Sequence, residues 1–149
     1  MAINQAVCAT FKQQLLDGDH DISSDTVNLA LYTNAATLDA NTSAYSASNE
    51  VGGSGSYSAG GGTLAGANVS LTQTNATAST AFVDFDDLSF TSATISAQAA
   101  LIYNTSSANV NASICVLDFG GVKTSTNGTF TIQFPAFTTS AAILRIGNA

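Results

Sequence analysis

The sequence predicts an all-β fold: a single domain, residues 1–149, built as an antiparallel β-sandwich of the jelly-roll type with about eight strands. Three observations predict it. Beyond a short N-terminal segment, large apolar residues recur at every second position in separate runs. The runs are divided by turns rich in Asn, Gly and Ser, and no second segment reads as a long crossover helix. A chain of 149 residues also matches the size of one domain with one core.

The N-terminal segment is predicted to be a short amphipathic helix over residues 1–17. Its apolar residues are spaced four positions apart: Ile3, Val7, Phe11 and Leu15. Gly18 is expected to end the helix, and the aspartates around it oppose the helix dipole. The apolar stripe either covers an open end of the domain's own sheet, which is the usual behaviour of such helices, or docks on a neighbouring protein.

The strands are predicted from the two-residue period that follows the helix. They are residues 27–32, 69–73, 80–85, 88–90, 94–103, 110–119, 129–134 and 141–146. Asn127-Gly128 is predicted to be a hairpin turn, because this dipeptide adopts the positive φ angles that tight turns need. The pattern therefore indicates antiparallel pairing.

A long segment without strand periodicity separates the first two strands, at residues 33–66. Its centre, 52–62, is rich in Gly and Ser. No lysine follows these glycines, so the segment does not fit a phosphate-binding loop. Loops of this length are usually functional or disordered, and we expect a surface loop that contact with a partner orders, with a flexible excursion as the alternative.

The low content of charge limits the partners of the chain. Charged residues make up 9% and hydrophobic types 45%, with three basic residues and a net charge of −7. Phosphate binding needs clustered Lys and Arg, so no nucleic-acid partner is expected. A surface of hydroxyls and amides is easier to desolvate than a charged one, which favours oligomers and larger assemblies. With no secretory leader and no long apolar run, we expect a protein made in a cytoplasm without membrane contact.

The residues that carry chemistry do not combine into a catalytic group. His20 is expected to be an exposed histidine without a nucleophilic partner. Cys8 and Cys115 are expected to be free, buried thiols. The chain has no tryptophan to form a sugar platform beside paired carboxylates. We therefore predict that the protein is not an enzyme, with no catalytic residues and no cofactor.

Two acidic groups bear on metal binding. Residues 17–21 begin like an EF-hand loop, but Ile22 stands where that loop needs glycine and Asn28 where it needs a bidentate glutamate. A weak surface cation site is the alternative there, and no metal site is predicted. The second group is expected to form a solvated strand edge and turn: Asp84, Asp86 and Asp87.

The order of several segments is distinctive. They are AY (44–45), EVGGSGSYSAGG (50–61), VDFDD (83–87), ALIYN (100–104), VLDFGG (116–121) and GTFT (128–131). In this order the chain resembles a family of small virion structural proteins of tailed phages, common in marine and cyanobacterial phages. Turn glycines and alternating apolar residues carry the resemblance, which spans nearly the whole chain.

The resemblance implies a virion protein made in the cytoplasm of the infected host. Its expected role is that of a capsid decoration (cement) protein, which bridges neighbouring copies of the major capsid protein and forms a homo-trimer or another homo-oligomer. The alternative is a tail, fibre or collar component that contributes to host adhesion or tail assembly. The candidate interface anchors are Ile3, Val7, Phe11, Leu15, Tyr45 and Tyr57.

Overall fold

The computed structural model describes residues 2–147, and the chain is mostly β, with 50% of residues in strands and 6% in helix. The described residues form eight strands and one helix, and both sheets are antiparallel. The elements are β1 (Ala6–Val7), α1 (Ala9–Asp17), β2 (Val27–Tyr32), β3 (Gly62–Thr63), β4 (Asn68–Asn75), β5 (Ala78–Asp84), β6 (Leu88–Asn104), β7 (Ala112–Ile132) and β8 (Leu144–Gly147). The prediction of an antiparallel all-β fold with about eight strands and one short helix is confirmed at this level.

A five-stranded sheet, in the order β1-β7-β6-β2-β3, is organised around the long hairpin of β6 and β7. The hairpin extends from the Leu88↔Ile132 pair to the Asn104↔Ala112 pair. β2 pairs with the second half of β6, which is buried on both of its faces. Four consecutive residues there are fully buried: Ala99, Ala100, Leu101 and Ile102. A strand covered on both faces has a continuous apolar sequence, which explains why alternation is lost at this point.

The remaining strands form a three-stranded sheet in the order β4-β5-β8. β5 is its centre, so β4 and β8 are both edge strands. Val83, Phe85 and Leu144 from this part of the chain belong to the same buried core as Leu29 and Val116 of the five-stranded sheet. The two sheets therefore share one hydrophobic core, and neither sheet closes on itself.

The helix is shorter than the sequence predicted. Residues 2–7 are extended: Ile3 forms a parallel bridge to the long loop, and Val7 lies in β1, paired with β7. Met1 lies outside the described residues. The prediction of a helix from residue 1 is wrong because a spacing of four is even, so it fits the two-residue period of a strand as well as a helical turn. The predicted end is confirmed, since Gly18 adopts a left-handed conformation with φ of 81°.

Two pairs of predicted strands are continuous in the structure. Predicted strands 88–90 and 94–103 form β6, and predicted strands 110–119 and 129–134 fall almost entirely within β7. The predicted hairpin turn at Asn127-Gly128 is wrong, because Asn127 has φ of 46° within β7 and its N–H donates to Thr94 Oγ1 at 2.9 Å. The register of the hairpin is irregular here, so the turn-like dipeptide marks a bulge. The connection between β6 and β7 is residues 105–111.

The long loop, 33–66, is held by its own chain, where the sequence analysis expected a partner. Glu50 is its centre: Oε1 accepts from the Tyr57 hydroxyl at 2.7 Å and from Gly60 N–H at 2.7 Å, and Oε2 accepts from the Tyr45 hydroxyl at 2.6 Å. The Tyr57 hydroxyl also accepts from Leu31 N–H of β2 at 2.9 Å. One carboxylate thus joins three points of the loop to each other, and Tyr57 joins them to β2. The loop's own strand β3 also pairs with β2.

We predict that Gly61→Ala destabilises the protein by about 2–4 kcal/mol. Gly61 has φ of 77°, and a Cβ there would lie 1.8 Å from the carbonyl oxygen of Leu29 in β2. Gly18→Ala is the matched control, because Gly18 has φ of 81° with no atom within 4 Å of its Cβ position. It should lose only about 1 kcal/mol. Urea unfolding of both variants tests this, and equal losses would contradict the close approach at Leu29.

Candidate functional site

The three-stranded sheet has one apolar face. The registers Val69↔Val83, Leu71↔Ala81, Ala81↔Ile146 and Val83↔Leu144 place these side chains on the same side of the sheet. We call this surface the apolar face, and its members are Val69, Leu71, Ala81, Val83, Leu144 and Ile146.

The apolar face is only partly covered. Val83 and Leu144 are each 7% exposed and belong to the core, whereas Leu71 is 63%, Ile146 62% and Val69 53% exposed. Three large apolar side chains therefore extend from the core into solvent on the two edge strands that flank β5. A contiguous apolar surface of this kind is typical of an interaction site.

A groove lies between the apolar face and the N-terminal part of the chain. Its volume is about 270 Å³. The wall opposite the sheet contains Phe11 and Leu15 of α1, followed by His20 and Ile22 from the connection to β2. Asp21 is the one lining residue with a formal charge at neutral pH. The groove therefore extends the apolar face toward α1.

Strand β4 forms an open edge beside the apolar face. It pairs with β5 on one side and has no second neighbour among residues 2–147. Seven of its eight residues are exposed, and none of the eight is charged or proline. Natural edge strands are usually protected by a charge, a proline or a short length. β4 has none of these three, and its pairing with β5 is regular from Asn68 to Gln73, with an irregularity between Gln73 and Asn75. The free N–H and C=O groups of the regular part are available for pairing with another strand.

The wall of the groove is fixed by a buried hydrogen-bond network. His20 Nε2 lies 3.0 Å from Gln14 Oε1, and His20 Nδ1 lies 3.0 Å from Asn104 Nδ2. The Asn104 amide also donates to Asp25 Oδ2 at 2.6 Å. His20 is buried and packs on Phe11, with ring centroids 4.9 Å apart. The prediction of an exposed histidine is therefore wrong, because Asn104, 84 positions away, is brought beside it.

The network requires neutral His20. Asn104 Oδ1 accepts from the N–H groups of Ser106 and Ser107, so its NH₂ group must face His20. Nδ1 is then the acceptor, and Nε2–H donates to Gln14. Burial lowers the pKa of His20, while the nearby carboxylates of Asp25 and Asp19 oppose this shift.

The six predicted anchors occupy different environments. Phe11 and Tyr57 are buried in the chain's own core and are not surface side chains. Ile3 and Val7 are half-buried beside the five-stranded sheet, and Tyr45 is half-buried and stacked on Tyr103 with ring centroids 4.7 Å apart. Among the four half-buried anchors, Leu15 is the one that lines the groove. That these residues bind a partner stays a prediction.

The cysteines and the aspartates beside α1 lie in separate environments. Cys8 and Cys115 are free and buried, as predicted, and burial raises the pKa of both thiols. Within residues 2–147, no group of three or more His, Cys, Asp and Glu side chains could hold a metal ion. Asp19 and Asp21 bind neighbouring side chains, with Asp19 Oδ2 accepting from the side-chain amide of Asn109 at 2.6 Å.

Asp84 differs from its expected environment. It was predicted to lie on a solvated edge with Asp86 and Asp87, but it is 4% exposed, whereas Asp86 and Asp87 are exposed. Asp84 is the last residue of β5, directly after the Val83↔Leu144 pair with β8, and the sequence alone does not place β8 there. Burial raises the pKa of this carboxyl group.

Comparison of the chain with protein-family models, curated proteins and solved structures finds no match. In the described part of the chain, no helix has the length and apolar character that a membrane span requires.

The sequence does not predict the apolar face as a site. The strands at 69–73 and 141–146 are predicted, and the apolar alternation of Val69 and Leu71 is visible. The alternation of apolar residues has the same form whether the apolar side of a strand is covered or exposed, so it does not indicate an exposed face. The lack of charge in residues 68–75 could have indicated an unprotected edge.

We predict that His20 makes stability depend on pH. Because the pKa of His20 is lowered on folding, its contribution is complete above the ordinary value of 6.5 and is lost as the pH falls through the lowered pKa. At pH 8, His20→Gln should cost about 1–3 kcal/mol by disturbing the bonds to Asn104 and Gln14. The difference between wild type and variant, measured by urea unfolding from pH 8 to pH 5, should shrink below about pH 6.5. A difference that stays constant would contradict the neutral network.

Proposed function

We propose that this protein is a non-catalytic structural protein of a tailed-phage virion, and that it acts as a capsid decoration (cement) protein. The observation that carries the proposal is the exposed apolar face next to the open, charge-free edge of β4. The phage setting rests on the resemblance of the sequence to small virion proteins. In this setting the protein is made in the host cytoplasm and resides in the virion.

The surface chemistry supports an assembly role. A cement protein adds contact area between neighbouring subunits and needs no reactive groups. With charged residues at 9% of the chain, most of the surface can be buried without the several kcal/mol that each unpaired charge costs. A net charge of −7 with three basic residues supports the absence of a nucleic-acid partner, and we propose no membrane partner.

We also propose that the two sheets form a β-sandwich of the jelly-roll type. Val83 and Leu144 of the three-stranded sheet share one core with residues of the five-stranded sheet. Phe85, just after β5, and Phe134, just after β7, pack with ring centroids 5.8 Å apart. Such a packed pair of sheets would be a stiff spacer between capsid subunits.

The proposed contact is between copies of the chain, through β4. Eight uncharged residues on this edge can pair with another strand without like-charge repulsion. The other edge, β8, is four residues long and carries Arg145. Pairing of β4 with a second copy would continue the sheet and bring side chains of the second copy beside Leu71 and Val69. β4 with β4 gives a two-fold dimer, whereas β4 with β8 of the next copy is a head-to-tail contact, which forms a ring such as a trimer when its rotation closes.

A second candidate is a tail, fibre or collar component that binds host-surface sugars. A cavity of about 530 Å³ beside β7 favours it. Phe119 and Phe130 line this cavity together with Gln5, Asp118 and Lys123, so apolar rings lie near polar groups that can bind hydroxyls. The capsid role remains the main proposal, because sugar binding in this cavity would not involve the open edge of β4.

We predict that Leu71→Lys prevents self-association. The lysine would place an unpaired charge among the apolar side chains of the proposed contact. The affinity between copies should fall by at least about tenfold. Light scattering after size exclusion should give a multiple of 15.0 kDa for wild type and a mass near 15.0 kDa for the variant. Val110→Lys is the matched control, because Val110 is 79% exposed, lies in the connection between β6 and β7, and does not line the groove. A monomeric wild type at about 100 μM would contradict self-assembly.

We predict that the chain is abundant in purified virions. Quantitative mass spectrometry should give a ratio to the major capsid protein near one, because a decoration protein occupies repeated positions on the shell. A ratio of a few per cent would overturn the capsid role and favour the tail or fibre role. The purified protein should also bind the major capsid protein, and Leu71→Lys should reduce this binding if the same face is used.

A further inference from the structure

The groove between α1 and the three-stranded sheet is apolar on both of its walls. Val69, Ala81 and Ile146 line it from the sheet, and Phe11 and Leu15 line it from α1. Its volume of about 270 Å³ exceeds the roughly 150 Å³ at which an apolar cavity in a protein binds benzene. The groove therefore has room for one large apolar side chain of another molecule and a short chain beside it.

The helix wall of the groove is held in place by the protein's own contacts. Phe11 and His20 are buried and pack with ring centroids 4.9 Å apart. His20 Nε2 lies 3.0 Å from Gln14 Oε1, and His20 Nδ1 lies 3.0 Å from Asn104 Nδ2. Because a preformed site loses little conformational entropy when it binds, this wall favours recognition of a ligand of defined shape.

The lining of the groove also carries a negative charge. Asp21 is exposed and lines the groove. Hydrogen bonds from Ser23 and Ser24 lower the pKa of the Asp21 carboxyl group, so it is charged at neutral pH. Asp19 and Asp25 belong to the same short segment and add to the negative potential there. An apolar surface thus lies directly beside a carboxylate.

The cation of β8 faces away from the groove. Arg145 lies between Leu144 and Ile146, so strand alternation places its side chain on the opposite face of the sheet. Its Nη1 donates to the carbonyl oxygen of Ser140 at 2.7 Å. A positive charge beside Asp21 can therefore be supplied by a bound molecule.

We propose that the groove binds a segment of another protein that presents a large apolar side chain together with a lysine or arginine. The apolar side chain would fill the space between α1 and the sheet. Lysine and arginine have apolar stems, so the basic side chain can follow the groove and place its charged end beside Asp21. The acidic and apolar parts of the lining are then both used by one ligand.

Charge favours a different protein over a second copy of this chain as the occupant. The chain has three basic residues in 149 and a net charge of −7, so a second copy would bring mainly negative charge to Asp21. The groove is also distinct from the proposed β4 contact, because Leu71 does not line it. The proposal therefore depends neither on the virion role nor on pairing of β4.

The test is an NMR titration of the full chain, followed on its methyl groups, with three blocked dipeptides. N-acetyl-Phe-Lys-amide carries both features, N-acetyl-Phe-Glu-amide reverses the charge, and N-acetyl-Ser-Lys-amide lacks the apolar group. The first should shift the methyl signals of Leu15, Leu144 and Ile146 with a Kd on the order of 1 mM. The second should bind about three- to tenfold more weakly. The third should cause no shift at these methyl groups.

Two variants separate the apolar and the charged parts of the groove. Ala81→Phe should abolish the shifts, because the new ring would occupy the groove from its sheet wall. Asp21→Asn leaves the apolar walls intact, so it should keep binding of the Phe-Lys dipeptide and remove most of its advantage over Phe-Glu. Asp17→Asn is the matched control and should keep that advantage, because Asp17 is exposed at the end of α1 and does not line the groove.

The other outcomes overturn the proposal. Equal binding of the Phe-Lys and Phe-Glu dipeptides by wild type would mean that the groove takes apolar ligands without regard to charge. Equal binding of Phe-Lys and Ser-Lys would mean a surface charge effect alone, and absence of shifts with Phe-Lys would exclude this ligand class. Methyl shifts that grow with protein concentration in the absence of peptide, and that Ala81→Phe removes, would assign the groove to a second copy.

Discussion

The antiparallel pairing of two long strands, β6 and β7, is the constraint on which the rest of the molecule depends. These strands have 17 and 21 residues, and their pairing brings β2 to one side and β1 to the other. The buried half of β6 is the centre of the core. Opposite the other half of β6, Gly120, Gly121 and Asn127 of β7 have positive φ angles near register irregularities, which allow the hairpin to bend. After β7 the chain continues to β8, and this strand completes the three-stranded sheet.

The placement of the three-stranded sheet explains why an apolar surface stays open. Its inner residues, Val83 and Leu144, reach the shared core, but α1 is only nine residues long and stops beside the groove. The His20–Asn104 network holds the chain after α1 in the groove wall, so the wall is rigid. A fixed apolar face next to an unprotected edge strand suits a protein that completes its packing against another subunit.

The sequence predicted the parts of the fold that depend on local pattern. The strand alternation, the end of α1 at Gly18 and the two free thiols are confirmed. Local pattern failed where it was ambiguous, as for Ile3 and Val7, whose spacing fits helix and strand alike, and for Asn127, whose positive φ serves a bulge as well as a turn. It also failed where distant residues meet. Burial of His20 and Asp84, and anchoring of Tyr57 by Glu50, come from tertiary contacts that no sequence window contains.

We propose that β4 is an open edge that pairs with another copy of the chain. Amide hydrogen exchange, followed residue by residue at increasing protein concentration, measures this pairing. Outward-facing amides in Asn68–Asn75 should exchange rapidly in dilute solution and become protected as concentration rises, while the amides in the buried half of β6 should stay protected throughout. Exchange in β4 that is the same at every concentration would contradict the claim.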